Sequence, residues 1–127
     1  AIAPMVYPSH YGSGFIGIQN PATEPYRVVR YSMDQARGKI DLYNKKREKL
    51  LLKGDEEELK RFPQARAELR PWLQDFDLGA DYNAKEVRDQ MTATTDALGQ
   101  NTGWMLWNPS NVYTKEALLE KPLTTNH

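Results

Sequence analysis

Three short apolar runs, each ending abruptly in polar or aromatic side chains, alternate with two long stretches of helix-patterned sequence. The central run is Arg70-Pro-Trp-Leu-Gln-Asp-Phe-Asp77, with Gly79 just behind it; its companions are Ile2 to His10 and Gly103 to Asn108. Runs of this length, bounded by turn residues, read as buried strands. Strands that alternate with helices favour parallel pairing through right-handed crossovers. The order is strand, helix, strand, helix, strand, short helix. A parallel sheet needs cover on both faces, and helices on one side leave the other face bare. The pattern predicts an α/β fold, a parallel βαβαβ unit with partners still to come: the rest of a barrel, another chain or a second copy.

Along the chain, Ile2 to His10 carries Pro4 and Pro8, which lack a ladder donor and are tolerable only near a strand's ends. The chain starts almost on this strand, which suits part of a longer fold. Gly12, Gly14 and Gly17 mark a tight, close-packed loop without the Gly-Lys-Ser/Thr ending of a phosphate loop. Thr23 is expected to cap a long helix with Pro25 in its first turn. Val29, Met33, Ala36, Ile40 and Tyr43 form its apolar stripe. The stretch 45–66 is dense in charge and reads as a solvated helical hairpin inserted before the central strand, broken at Gly54-Asp55. After the loop Leu78 to Tyr82, Asn83 and Glu86 suggest a capping box. Val87, Met91, Thr94 or Thr95, and Leu98 give the next buried stripe, with Gly99 at a left-handed helix end. A last helical turn is expected from Thr114 to Glu120, capped by Thr114, and a frayed tail from Lys121 to His127.

Bulk properties narrow the classes. The 127 residues make one domain. The 17 basic and 17 acidic residues cancel, so no broad positive field for nucleic acid or anionic lipid is expected. No apolar run approaches the roughly 20 residues of a membrane helix. The absence of cysteine excludes disulfides, thiolate metal sites and cysteine nucleophiles. The only histidines are His10 and His127, too few for a multi-histidine metal site, and no cofactor is expected.

Pro4-Met-Val-Tyr-Pro-Ser-His-Tyr11, Arg70-Pro-Trp-Leu-Gln-Asp-Phe76, and Gly103-Trp-Met-Leu-Trp-Asn108 with Asn111 and Tyr113 resemble a bacterial family assigned as glycoside hydrolases and carried as a domain of unknown function. The resemblance covers residues 2–118. It implies the last three strands of a (β/α)8 barrel, with the charged insertion longer than the family needs. It also implies a carbohydrate substrate, and an amino-terminal half that holds one catalytic carboxylate. An extracytoplasmic or cell-surface location would suit such a protein. The 127 residues by themselves are expected to be inactive.

Barrel active sites lie at the carboxyl ends of strands, which places Tyr7, His10, Tyr11, Gln74, Asp75, Asp77, Trp107 and Asn108 on the candidate rim. Sugars present an apolar ring face and polar edges, which aromatic, amide, histidine and aspartate side chains can meet together. Asp75 and Asp77 would lie on one side of an extended strand, about 6.6 Å apart. Paired catalytic carboxylates in barrels come from different strands, so Asp75 is the single candidate, as acid/base or as an orienting group. It could equally be a structural carboxylate bonded to loop amides or to Arg70. His10 could merely bond its own loop, Trp72 and Trp104 read as packing residues, and Asn108 and Asn111 could simply set the turn around Pro109. Trp107 is the candidate sugar platform. Two other readings stand beside the hydrolase: a non-catalytic carbohydrate-binding or scaffold module that pairs with another chain, and a small nucleotide-binding domain, which the missing phosphate loop disfavours.

Overall fold

A computed structural model describes residues 1–118; the expected end of the last turn and the tail Lys121–His127 lie outside the described residues. The fold is mixed α/β. Helix α1 spans Pro25–Leu52, α2 Glu56–Arg61 and α3 Ala84–Leu98; strands β1, Trp72–Gln74, and β2, Met105–Trp107, form a parallel two-stranded sheet. Leu73 pairs with Leu106 at the centre of its register.

The first apolar run lies parallel along the other edge of β1, held by Ile2–Leu69 and Met5–Trp72 bridges. It is not a continuous strand to His10. Pro8–His10 is a 3-10 turn, and the reason is a missing donor. Trp72 exchanges bonds with Pro4 and Val6, donating its N–H to Pro4 and accepting from Val6. The next rung would need an N–H from Pro8, which has none. The Gln90 side chain from α3 fills the gap instead. Its Oε1 accepts from the Gln74 N–H at 2.9 Å, and its Nε2 donates to the Gln74 carbonyl at 2.7 Å. A carboxamide thus stands in for a peptide group, as a buried backbone pair requires.

The core lies on one side of the sheet. Val6, Leu73 and Leu106 meet Val29 and Met33 of α1 and Ala93 and Ala97 of α3. Strand alternation sends Met5, Trp72 and Trp107 to the opposite side, which no helix of the described residues covers; Met5 is 73% and Trp107 43% exposed. Val87 and Thr94 are buried on the inner face of α3, joined by Gln90, Ala93 and Ala97. Residues 83–86 form the expected capping box. Gly99 ends α3 at φ +103° but with an extended ψ of 166°, a glycine conformation other than the left-handed helical one expected.

Other local expectations need correction. Thr23 does not cap α1. Glu24 holds the N-cap position, while Thr23 ends a 3-10 turn over Pro21–Thr23 and donates its hydroxyl to the Asn20 carbonyl at 2.7 Å. Asn20 caps that turn, so the chain is already curled before the helix begins. Gly14 and Gly17 have φ of +88° and +78°, so they serve a tight path, but a Cβ on either would meet nothing within 4 Å; the loop is not close-packed there. Helix α1 runs unbroken to Leu52, so the charged stretch comprises its last turns, α2 and a return segment. Asp55 caps α2, accepting from the Glu58 N–H. Although α1 has 28 residues, no helix among the described residues is apolar enough to cross a membrane.

Candidate functional site

The carboxyl ends of the three parallel segments do meet. On the first segment, Tyr7 is buried and its ring stands edge-on to His10 at 5.2 Å and to Phe76 at 5.7 Å. Phe76 belongs to the loop after β1, so this aromatic trio bridges two neighbouring segments. Gln74 ties the same junction from below. Its Oε1 accepts from both the N–H and the hydroxyl of Ser9, and its Nε2 donates to the Phe76 carbonyl at 3.0 Å. Gln74 is fully buried. Its side chain therefore shapes the rim and is not itself presented to solvent.

Asp75 sits one residue past β1 and is 2% exposed. Both carboxylate oxygens are engaged by one residue: Oδ2 accepts from the Thr114 N–H at 2.7 Å and Oδ1 from its hydroxyl at 2.6 Å. The Asp75 N–H donates to the Trp107 carbonyl, and its own carbonyl accepts from Asn108 Nδ2 at 2.5 Å. The two bonds to the carboxylate are charge-assisted, a class among the stronger ones in proteins. Of the readings open in the sequence, the geometry matches bonding to a loop amide. The partner is Thr114, and Arg70 instead lies 3.8 Å from Glu68. Thr114 accordingly spends its hydroxyl on Asp75, and only its carbonyl serves the final turn, accepting from Ala117.

The loop that Asp75 holds is shaped by asparagines. Asn108 Oδ1 accepts from the Ser110 N–H at 2.8 Å, and Asn111 takes φ +54°, a conformation asparagine tolerates better than most residues. The loop crosses the end of β1 and brings Tyr113 near Tyr7. Burial pushes the Tyr7 phenol above the ordinary tyrosine range, and Tyr113 adds to the rise. Trp107 stands at the end of β2 with its ring edge-on to Trp72 at 6.4 Å. These two indoles carry the open sheet face up to the rim.

Two candidate residues fall outside this group. Tyr11 turns away toward α1, its hydroxyl 3.1 Å from that of Ser32 and its ring 4.4 Å from Phe15. Asp77 does not share a side with Asp75, because the strand ends at Gln74. It is exposed and closes its own loop by accepting from the Tyr82 N–H at 2.7 Å. That loop is pressed onto the turn before α1 at Gly79, where a Cβ would come within 3.1 Å of Ala22 Cβ. Tyr82 is buried beneath it and donates to the Ala22 carbonyl at 2.8 Å; burial raises its phenol strongly above the ordinary range.

The sequence reading missed Phe76, Thr114, Ser9 and Gln90 as parts of this site. Gln90 had a signal: an amide in the buried stripe between Val87 and Thr94, opposite a strand interrupted by proline. Thr114 had none, since its partner is 39 positions away. Among the described residues no cluster of histidine, aspartate or glutamate could hold a metal ion.

Comparison with known proteins adds one match. Residues 1–113 fit the model of a family described as "putative glycosyl hydrolase domain". No curated protein and no solved structure matches the chain. The family model takes in both strands, all three α-helices and every rim residue up to Tyr113, so the chain belongs to this glycosyl hydrolase family.

Proposed function

We propose that the chain supplies the last three strands of a (β/α)8 glycoside hydrolase barrel, with its rim forming one wall of a carbohydrate site. The observation that carries this reading is the placement of the helices. The three parallel segments follow in sequence order, and α1 and α3 both pack on the same side of Leu73. A doubly wound sheet puts helices on both faces, whereas a barrel keeps them all outside and turns the other face inward. Met5, Trp72, Met105 and Trp107 would then face the barrel interior. The remaining strands would come from a longer form of the protein or from a second copy.

In this reading Trp107 is the sugar platform, flanked by Tyr113, Tyr7 and His10. Gln74 and Asn108 hold the wall in shape, while Tyr11 and Asp77 brace it from behind. Asp75 acts as the orienting group, because both its oxygens already accept from Thr114. Hydrolysis would need carboxylates from other strands, about 5 Å apart for retention or about 6.5–9.5 Å for inversion. No cofactor is required, and neither nucleic acid nor membrane enters the scheme.

The occupied carboxylate of Asp75 also favours a second reading, a non-catalytic carbohydrate-binding wall that pairs with another chain. Titration of the 127-residue chain with oligosaccharides, alongside a reducing-sugar assay, tests what the two share. Both readings expect binding that Trp107→Ala abolishes, with no sugar released. Sugar release by the chain alone would overturn the scheme, as would binding indifferent to Trp107. Hydrolysis gained when the chain is extended to a complete barrel would select the enzyme.

A further inference from the structure

The charged stretch, read from sequence as an evenly solvated surface, is sorted in space. The last turns of α1 and the return segment after α2 enclose a groove of about 490 Å3, within the ~300–1,000 Å3 range of small-molecule sites. Its floor is apolar. Tyr43 and Leu50, seven residues apart on one helix face, meet Phe62 of the return segment, and the Tyr43 and Phe62 rings stand 6.5 Å apart. Its outer wall is cationic. Lys46 and Lys49 of α1 and Lys53 at its carboxyl cap follow a 3-4 spacing and all line the groove. Among the described residues none of the three lysines is engaged by a carboxylate. Arg47 adds a fourth cation, and Glu58 is the only carboxylate in the lining.

The walls are held firmly. Arg47 Nε donates to the Phe62 carbonyl at 3.0 Å and the Tyr43 hydroxyl to the Pro63 carbonyl at 2.9 Å. Asn44 and Ala65 exchange two bonds, at 3.0 and 3.2 Å. A merely solvated charge run has no need of this bracing, nor of Leu50 and Phe62 beneath its lysines.

We infer that this groove binds an amphiphilic anion, a phosphate or carboxylate head on an apolar tail of aromatic or short-acyl size. The lysines would take the head and the Tyr43–Leu50–Phe62 floor the tail. The site lies on the last turns of α1, shares no residue with the rim, and does not depend on the glycosidase reading. A free metabolite and a lipid within a bilayer share this chemistry.

Calorimetric titration of the full chain with octyl phosphate tests the inference, with inorganic phosphate and octanol as head-only and tail-only probes. Octyl phosphate should bind at least about tenfold tighter than either, a gap that requires head and tail to act together. Lys46→Gln with Lys53→Gln should weaken it about tenfold and flatten its dependence on salt, since fewer charges remain to be screened. Phe62→Ala should weaken it several-fold with the salt dependence intact. Circular dichroism checks that each variant keeps its helices, and Lys39→Gln serves as a neighbouring charge control. Co-sedimentation with vesicles of phosphatidic acid and phosphatidylcholine, compared with phosphatidylcholine alone, assigns the source to a lipid; soluble binding without vesicle binding assigns it to a free amphiphile, and either supports the site. Inorganic phosphate binding as tightly as octyl phosphate would overturn it, as would a double variant that binds like the parent.

Discussion

The rim and the α1–α2 arm both carry polar side chains, yet they use them in different ways. At the rim the buried polar groups have partners at long sequence separation: Gln74 with Ser9 and Gln90, Asp75 with Thr114, Asn108 with Asp75. In the arm Lys46, Lys49 and Lys53 are engaged by no carboxylate among the described residues, and Leu52 at the end of α1 is 86% exposed. The difference teaches where sequence changes can be absorbed. The buried polar residues of the first region are structural members, whereas the three lysines of the second are displayed.

Substitutions can break this contrast. Leu73→Ala removes a fully buried side chain at the centre of the core and should cost about 2–5 kcal/mol, whereas Leu52→Ala should stay within about 0.5 kcal/mol; urea unfolding of the two variants checks both. Similar losses would mean that the arm is packed against something. Asp75→Ala leaves the Thr114 amide and hydroxyl without their charged acceptor and should cost about 3 kcal/mol. Thr114→Val should lose part of that, and Thr114→Ser almost none, because the serine hydroxyl keeps the bond.

Gln90→Leu strands the N–H and carbonyl of Gln74 and should lower stability by about 1–3 kcal/mol, read as a fall in the urea midpoint at constant slope. Hydrogen exchange should then quicken first at the Gln74 amide. The smallest effect concerns Tyr82. Its phenol is raised by burial, so the folded state prefers the protonated form. The stability this brings is fully present below the unfolded tyrosine value of about 10 and declines as pH climbs above it. Tyr82→Phe should cost about 1 kcal/mol near neutral pH and should lessen the alkaline decline seen in thermal unfolding. An undiminished decline would transfer that role to Tyr7, the other raised phenol.

Much of this organisation was legible in the chain because it is local. The Asn83–Glu86 box, the proline at the start of α1 and the apolar stripes of α1 and α3 rest on neighbours within a few positions. The parallel path of the central run followed from alternation of strand and helix patterns. What escaped was set by distant partners. Pro8 and the amide at Gln90 hint at their pairing only when read together across the chain, and nothing near Thr114 announces Asp75. Asp77 was misplaced for a related reason: the period-two rule was extended past Gln74, where the strand had already ended. The groove on α1 was hidden as well, since helix spacing reveals a lysine stripe but not the Phe62 that returns beneath it.

The carboxamide rung has a consequence of its own. Because a side chain closes that stretch of the sheet, the first segment can turn away into the Pro8–His10 turn, and the Tyr7, His10 and Phe76 rings pack together where it leaves β1. That junction thus hangs on a single codon. Glutamate at position 90 would keep the shape and the acceptor but could donate only when protonated, turning a permanent fastening into one that acid tightens and base loosens.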